Sequence, residues 1–176
     1  MTAADPLIVT LALDGPSFAV FDGARRRHFP PDRNHIPAHL TLFYRLPGTQ
    51  EPAIAAALAQ AAESRPPIPL RVTGLRSLGR GVAYTLASPD LDALRARLAG
   101  RWPAWLTPQD RQPFRPHVTI QNKVEPAAAA ALLAALGRTF SPFDATGEGL
   151  RLWRYRGGPW DAAAFFPFRR TDGAWP

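Results

Sequence analysis

The sequence predicts one mixed domain of short strands and capped helices, carrying an internal repeat. Three observations lead there. Apolar, β-branched runs alternate along the chain with helical stretches opened by proline. The chain has 176 residues, 46% of them hydrophobic, which suits a single domain over 1–176 with a sizeable core. One four-residue pattern also occurs twice, 78 residues apart: His39-Leu40-Thr41-Leu42 and His117-Val118-Thr119-Ile120. A helix with proline near its start follows each copy.

The elements follow in order. Residues 7–13 (LIVTLAL) read as a buried strand, ended by the turn residues Asp14-Gly15-Pro16. A helix over 17–28 closes with Arg25-Arg26-Arg27-His28 and stops at Phe29-Pro30-Pro31. A loop over 32–37 feeds the first histidine strand, 39–46. Pro52 opens a helix to about residue 64. Strands over 70–78 and 81–86 flank the turn Gly79-Arg80. Ser88-Pro89-Asp90 starts a helix to about residue 98, with Gly100 as its C-terminal cap. Residues 101–114, with three prolines and two tryptophans, read as a long loop, a kind that often carries function. The second histidine strand spans 116–124. Glu125-Pro126 opens an alanine-rich helix to Gly137, and strands over 150–155 and 160–168 form a closing hairpin.

Composition narrows the function classes. Without cysteine there is no disulfide and no thiolate metal site, as suits a cytoplasmic protein. No signal peptide or membrane-spanning run is expected. The formal net charge is +7, and Lys123 is the sole lysine among 21 basic residues. Arginine recognises phosphate bidentately. A chain rich in Ala, Arg, Pro and Gly also reflects a GC-rich genome, so the arginine count alone does not assign a polyanion partner. The positive field favours an anionic substrate in either case.

The repeated motif carries the chemistry. Strand side chains alternate between faces, so His39 and Thr41 share one face and Leu40 and Leu42 the other. On the second strand Arg115, His117, Thr119, Gln121 and Lys123 share a face that contains no acid. Same-face neighbours lie about 6.6 Å apart, so a histidine and the threonine two residues on can touch one phosphate. Arg115 is near enough to help. Arg45 and Lys123, roughly 20 Å along their strands, are not. Histidine titrates near neutrality, so one imidazole can accept a proton while the other donates one. The hydroxyls and Arg115 would stabilise charge on phosphate oxygens. His28 and His35 have no partner in such a frame. Two histidines fall short of the usual zinc ligand set, so no metal and no cofactor are expected. Neither a Gly-x-Ser-x-Gly elbow nor a Gly-rich phosphate loop is present.

In the contexts Ile36-Pro37-Ala38-His39-Leu40-Thr41-Leu42 and Phe114-Arg115-Pro116-His117-Val118-Thr119-Ile120, the paired motif resembles the two-histidine (2H) phosphoesterase superfamily. That superfamily holds the bacterial 2′-5′ RNA ligases and RNA 2′,3′-cyclic phosphodiesterases. The resemblance implies a bilobal, duplicated α+β fold, with two antiparallel sheets facing a central cleft and helices outside. It implies opening of a 2′,3′-cyclic phosphate to a 2′-phosphate, with RNA ends or small cyclic nucleotides as partners. It makes His39 and His117 the acid–base pair and Thr41 and Thr119 the phosphate donors. We take His39 as acid toward the leaving 3′-oxygen and His117 as base toward water. Phe43, Phe114, Trp153 and Tyr155 are candidates to stack on a base, and Arg80 and Arg111 to line the cleft. A monomer is expected, since an open cleft needs no partner. The rival reading is an RNA-binding module of the same fold without turnover; a binder has no need of a matched histidine–threonine pair.

Overall fold

The computed structural model describes residues 4–169. Seven strands and four α-helices follow one another: β1 (Leu7–Leu13), α1 (Gly15–His28), β2 (Leu40–Leu46), α2 (Glu51–Glu63), β3 (Ile68–Ser77), β4 (Val82–Ala87), α3 (Pro89–Arg101), β5 (His117–Gln121), α4 (Pro126–Gly137), β6 (Phe143–Tyr155) and β7 (Trp160–Pro167). Local chemistry sets the helix starts. The Asp14 carboxylate accepts from Ser17 N at 2.9 Å and caps α1 slightly earlier than the sequence suggests. The Ser88 hydroxyl does the same for α3. Arg25, Arg26, Arg27 and His28 sit in the last turn of α1, where the carbonyl ends favour cations. No helix among the described residues is long and apolar enough to cross a membrane.

All strand pairings are antiparallel, and the sheet order is β2-β1-β6-β3-β4-β5 with β7 also on β6. The thirteen-residue β6 joins two halves. Its first residues, 143–147, pair with β3; its later ones pair with β1 on one edge and β7 on the other. The first half is thus β2-β1-β6-β7, and the second is β6-β3-β4-β5. The two antiparallel sheets implied by the motif pair are present as two halves of one hydrogen-bonded sheet, and the α+β class holds. The halves repeat one order: strand, helix, histidine strand, helix, strand. The closing strand of each repeat crosses over, β3 to β4 and β6 to β1. Neither repeat can therefore complete its sheet alone.

Two boundaries differ from the sequence reading in instructive ways. The strand expected at 150 begins at 143. Its first residues, Phe-Asp-Ala-Thr-Gly-Glu-Gly, resemble a loop because packing demands small residues. A Cβ on Gly147 would lie 2.7 Å from the Leu11 side chain. Gly100 lies inside α3 rather than capping it, and the helix ends at Trp102.

One large core fills the space between the sheet and helices α2 and α3. It includes Leu7, Val9, Leu11, Leu40, Leu150 and Leu152 from the first half, with Ile54, Leu58, Leu91, Leu94 and Leu98 from the helices. Each such fully buried aliphatic side chain contributes roughly 1.5–3 kcal/mol. A smaller cluster packs Ala24 of α1 and Leu132, Leu133 and Leu136 of α4 against Val82 and Ile120.

Candidate active site

The two motifs lie on strands that come together. β2 and β5 are the two end strands of the sheet order, yet their Cα atoms approach within 8 Å because the sheet curls. His39 immediately precedes β2 and His117 opens β5. Each ring is held in the same way. His39 Nδ1 donates to the carbonyl of Pro37 at 2.8 Å, and His117 Nδ1 donates to the carbonyl of Arg115 at 2.8 Å. A carbonyl only accepts, so the neutral ring carries its proton on Nδ1 and leaves the Nε2 lone pair free. Both imidazoles thereby leave Nε2 free of that tether.

Register places the neighbours. Thr41 of β2 pairs with Thr10 of β1, which pairs with Arg151 of β6, which pairs with Phe165 of β7, so these four share a face. In the second half Thr119 of β5 pairs with Ala83 of β4, which pairs with Arg76 of β3. Each motif threonine thus looks across one residue to an arginine two strands away. His117 itself pairs with Thr85.

The two histidines sit in unlike surroundings. His39 lines a cavity of about 350 Å³ with Thr10, Phe18, Arg151, Trp153 and Trp160. The Trp160 ring centroid lies 4.7 Å from that of His39, and Trp153 Nε1 donates to Thr10 Oγ1 at 2.9 Å. Burial is the main force that pushes the His39 imidazole down to about 4. The Pro37 bond opposes the shift, while the nearby charges of Arg25 and His117 add to it. His39 is therefore neutral at pH 7, which suits it to accept a proton rather than donate one. A proton acceptor at His39 is the opposite of the role taken from the sequence. His117 lines a second, polar cavity of about 340 Å³ with Thr41, Tyr44, Arg76, Phe114 and Arg115. Thr41 thus joins the histidine of the other motif.

Buried charges lock the two motifs together. Asp22 of α1 accepts from Ala38 N, one residue before His39, at 3.0 Å. Arg25 of α1 donates to the Thr119 carbonyl at 2.9 Å and to Asn34 Oδ1 at 2.8 Å. Burial pulls its pKa down to about 10, so it stays charged at neutral pH. In the other direction Arg95 of α3 donates to the Leu42 carbonyl and to the Asp110 carbonyl. β2 bulges here: between Leu7↔Leu46 and Val9↔Phe43 it gains a residue on β1. The Asp110 carboxylate takes up the freed amides of Tyr44 and Arg45, at 2.8 and 3.4 Å. Each repeat sends an arginine to the motif strand of the other.

A family model described as the 2′-5′ RNA ligase superfamily matches residues 14–159. The chain belongs to the 2′-5′ RNA ligase superfamily. Solved structures of similar fold cover nearly the whole chain. TT0787 of Thermus thermophilus is 19% identical, with a TM-score of 0.63, over 94% of this chain and 99% of its own. LigT of E. coli, solved with 3′-AMP, is 18% identical, with a TM-score of 0.63, over 94% and 99%. Usb1 of Kluyveromyces marxianus is 14% identical, with a TM-score of 0.51, over 96% and 100%. No curated protein matches the chain.

Within this superfamily framework the candidate residues divide clearly. The structure gathers His39, Thr41, His117 and Arg115 at the two cavities, with Trp153 in the first and Phe114 in the second. Thr119 sits beside them on β5. Phe43 does not take part: its ring is fully buried against Trp102 and Arg95, because the β2 bulges turn it into the core. Tyr155, at the far end of β6, lines neither cavity. Gln121 and Lys123 leave the polar face. A register shift between Val82 and Ala83 buries Gln121, and Lys123 lies beyond the end of β5, with φ of 63°. Arg80 turns to Val124 and Glu125, and Arg111 to the carbonyls of Leu106 and Pro103. Sequence reasoning missed Trp160 and Thr10. It read α1 only as a helix, although Ser17, Asp22 and Arg25 on its buried face are polar. That inward polar face is a signal a helical projection could have shown.

Proposed function

We propose that the protein opens 2′,3′-cyclic phosphates, on RNA ends or nucleotides, to 2′-phosphates. The observation that carries this reading is the matched tether of the two rings, which leaves two Nε2 atoms free in one curled sheet. Neutral His39 takes a proton from water through Nε2. The water oxygen attacks phosphorus, the bond from phosphorus to O3′ breaks, and protonated His117 gives its proton to O3′. The product carries a 2′-phosphate and a 3′-hydroxyl. His39 ends protonated and His117 neutral, and exchange with solvent resets both. The hydroxyls of Thr41 and Thr119 donate to the non-bridging oxygens as charge builds there. Both proton transfers are supplied by side chains, so the sequence of steps asks nothing of a metal. A 5′-hydroxyl in place of water would turn the same steps into 2′-5′ ligation. LigT has been captured with 3′-AMP, NADP+, ATP and phosphate, which supports a nucleotide phosphate at the equivalent cleft.

The test is hydrolysis of 2′,3′-cyclic nucleotides, and of RNA ending in a cyclic phosphate, with EDTA present. Turnover that persists in EDTA and falls about 10²- to 10⁴-fold in both His39→Ala and His117→Ala is the expected result. A folded wild-type protein inactive on all of these substrates overturns the reading.

A further inference from the structure

Arg76 enters neither the motif nor the proton transfers, yet it points into the His117 cavity. It stands two strands from Thr119 on the same face, about 10 Å away at the usual strand spacing. Between them lies Ala83, a small side chain that is itself fully buried. Arg76, Phe114 and Arg115 also line an adjoining groove that continues outward past Ser77, Thr85 and Pro116. The His117 cavity therefore continues outward beyond His117. Arg76 is half-buried and makes no ion pair and no side-chain hydrogen bond among the described residues. Two acids line this path. The Asp110 carboxylate is occupied by the amides of Tyr44 and Arg45 and the Thr107 hydroxyl, and Asp92 sits in the outer groove, away from His117. The matching cation of the first half, Arg151, is engaged, with its guanidinium 4.7 Å above the Phe165 ring.

We propose that Arg76 and Arg115 form a second phosphate subsite that holds the internucleotide phosphate next to the cyclic end of single-stranded RNA. The proposal rests on the cyclic-phosphate reading and narrows it, making an oligonucleotide end, rather than a free mononucleotide, the preferred substrate. The separation from Thr119 suits the next phosphate along a strand. Arginine's planar fork suits its two free oxygens. Phe114, lining the His117 cavity and the adjoining groove, offers an aromatic face beside that phosphate.

The test compares kcat/KM for a dinucleotide ending in a 2′,3′-cyclic phosphate with that for the cyclic mononucleotide. In Arg76→Gln the ratio of the two is expected to fall about tenfold, as loss of one charge-assisted phosphate contact predicts. Arg138→Gln, which removes an exposed cation near the end of α4, serves as the control for net charge. An unchanged ratio in Arg76→Gln, or an equal fall in Arg138→Gln, overturns the subsite. A second arm separates this outcome from failure of the cyclic-phosphate reading. Anisotropy of a short fluorescent single-stranded RNA is followed against salt, without turnover. Arg76→Gln should flatten the slope of log Kd against log salt by about 0.7, one phosphate contact. An identical slope overturns the subsite whatever the chemistry.

Discussion

The two halves of the sheet carry the same motif in different surroundings. In the first half His39 is walled by Trp160 and Trp153, and burial holds it neutral. In the second half His117 opens into a polar cavity flanked by Arg76 and Arg115. The tether is the same, a carbonyl two residues upstream at 2.8 Å in both. The backbone therefore sets which nitrogen is left free, and in the proposed mechanism the surroundings decide which ring accepts and which donates. A duplicated scaffold supplies two imidazoles tethered alike, and their surroundings differ.

The largest break in this comparison comes from the crossed arginines. Arg25 is almost fully buried, and its loss strands the Thr119 carbonyl and the Asn34 side chain. Arg25→Ala should lower stability by about 3 kcal/mol in a denaturant melt, and Arg95→Ala, whose arginine is only half-buried, by less. An Arg95→Ala loss as large as that of Arg25→Ala would show that burial does not distinguish the two clamps.

A sharper probe is Trp160→Ala. As a base, His39 works above its pKa and fails as pH falls through it. In the wild type the acid limb of kcat/KM should lie near pH 4. Opening the wall should move that limb up toward 6.5. The same depressed pKa predicts a stability term that is full above pH 6.5 and lost as pH falls toward 4, because the unfolded chain takes up the proton first. Trp160→Ala should weaken that acid dependence. An acid limb that does not move would assign the depression to something other than the tryptophan wall.

The smallest effect is expected where the halves meet on the surface. Arg71 and Asp144 pair at 2.7 Å across β3 and β6, but both are largely exposed. Arg71→Ala should change stability by less than about 1 kcal/mol. A larger loss would mean that this seam, rather than the buried clamps, joins the halves.

The His-x-Thr pairs, the helix starts and the α+β class were legible because they depend on local chemistry: alternation, capping and proline. The fate of Phe43 was not, because alternation places it beside Thr41 and only the bulges in β2 turn it inward. Nor were the first seven residues of β6, where contacts with Leu11 and Phe165 select glycines that locally read as a loop. The reach of Arg25 to Thr119 spans 94 residues, and no local pattern announces such a bond. The ring packed against His39 belongs to Trp160, 121 positions later, so spacing alone could not show how His39 is enclosed.

The most direct test of the divided pair is a ¹⁵N titration of the four imidazoles, with His39→Gln and His117→Gln used to assign the two site rings. Both site rings are expected to be Nδ1–H tautomers when neutral, and His39 to take up its proton only near pH 4. An Nε2–H tautomer at either ring, or His39 titrating at 6.5, would contradict that expectation.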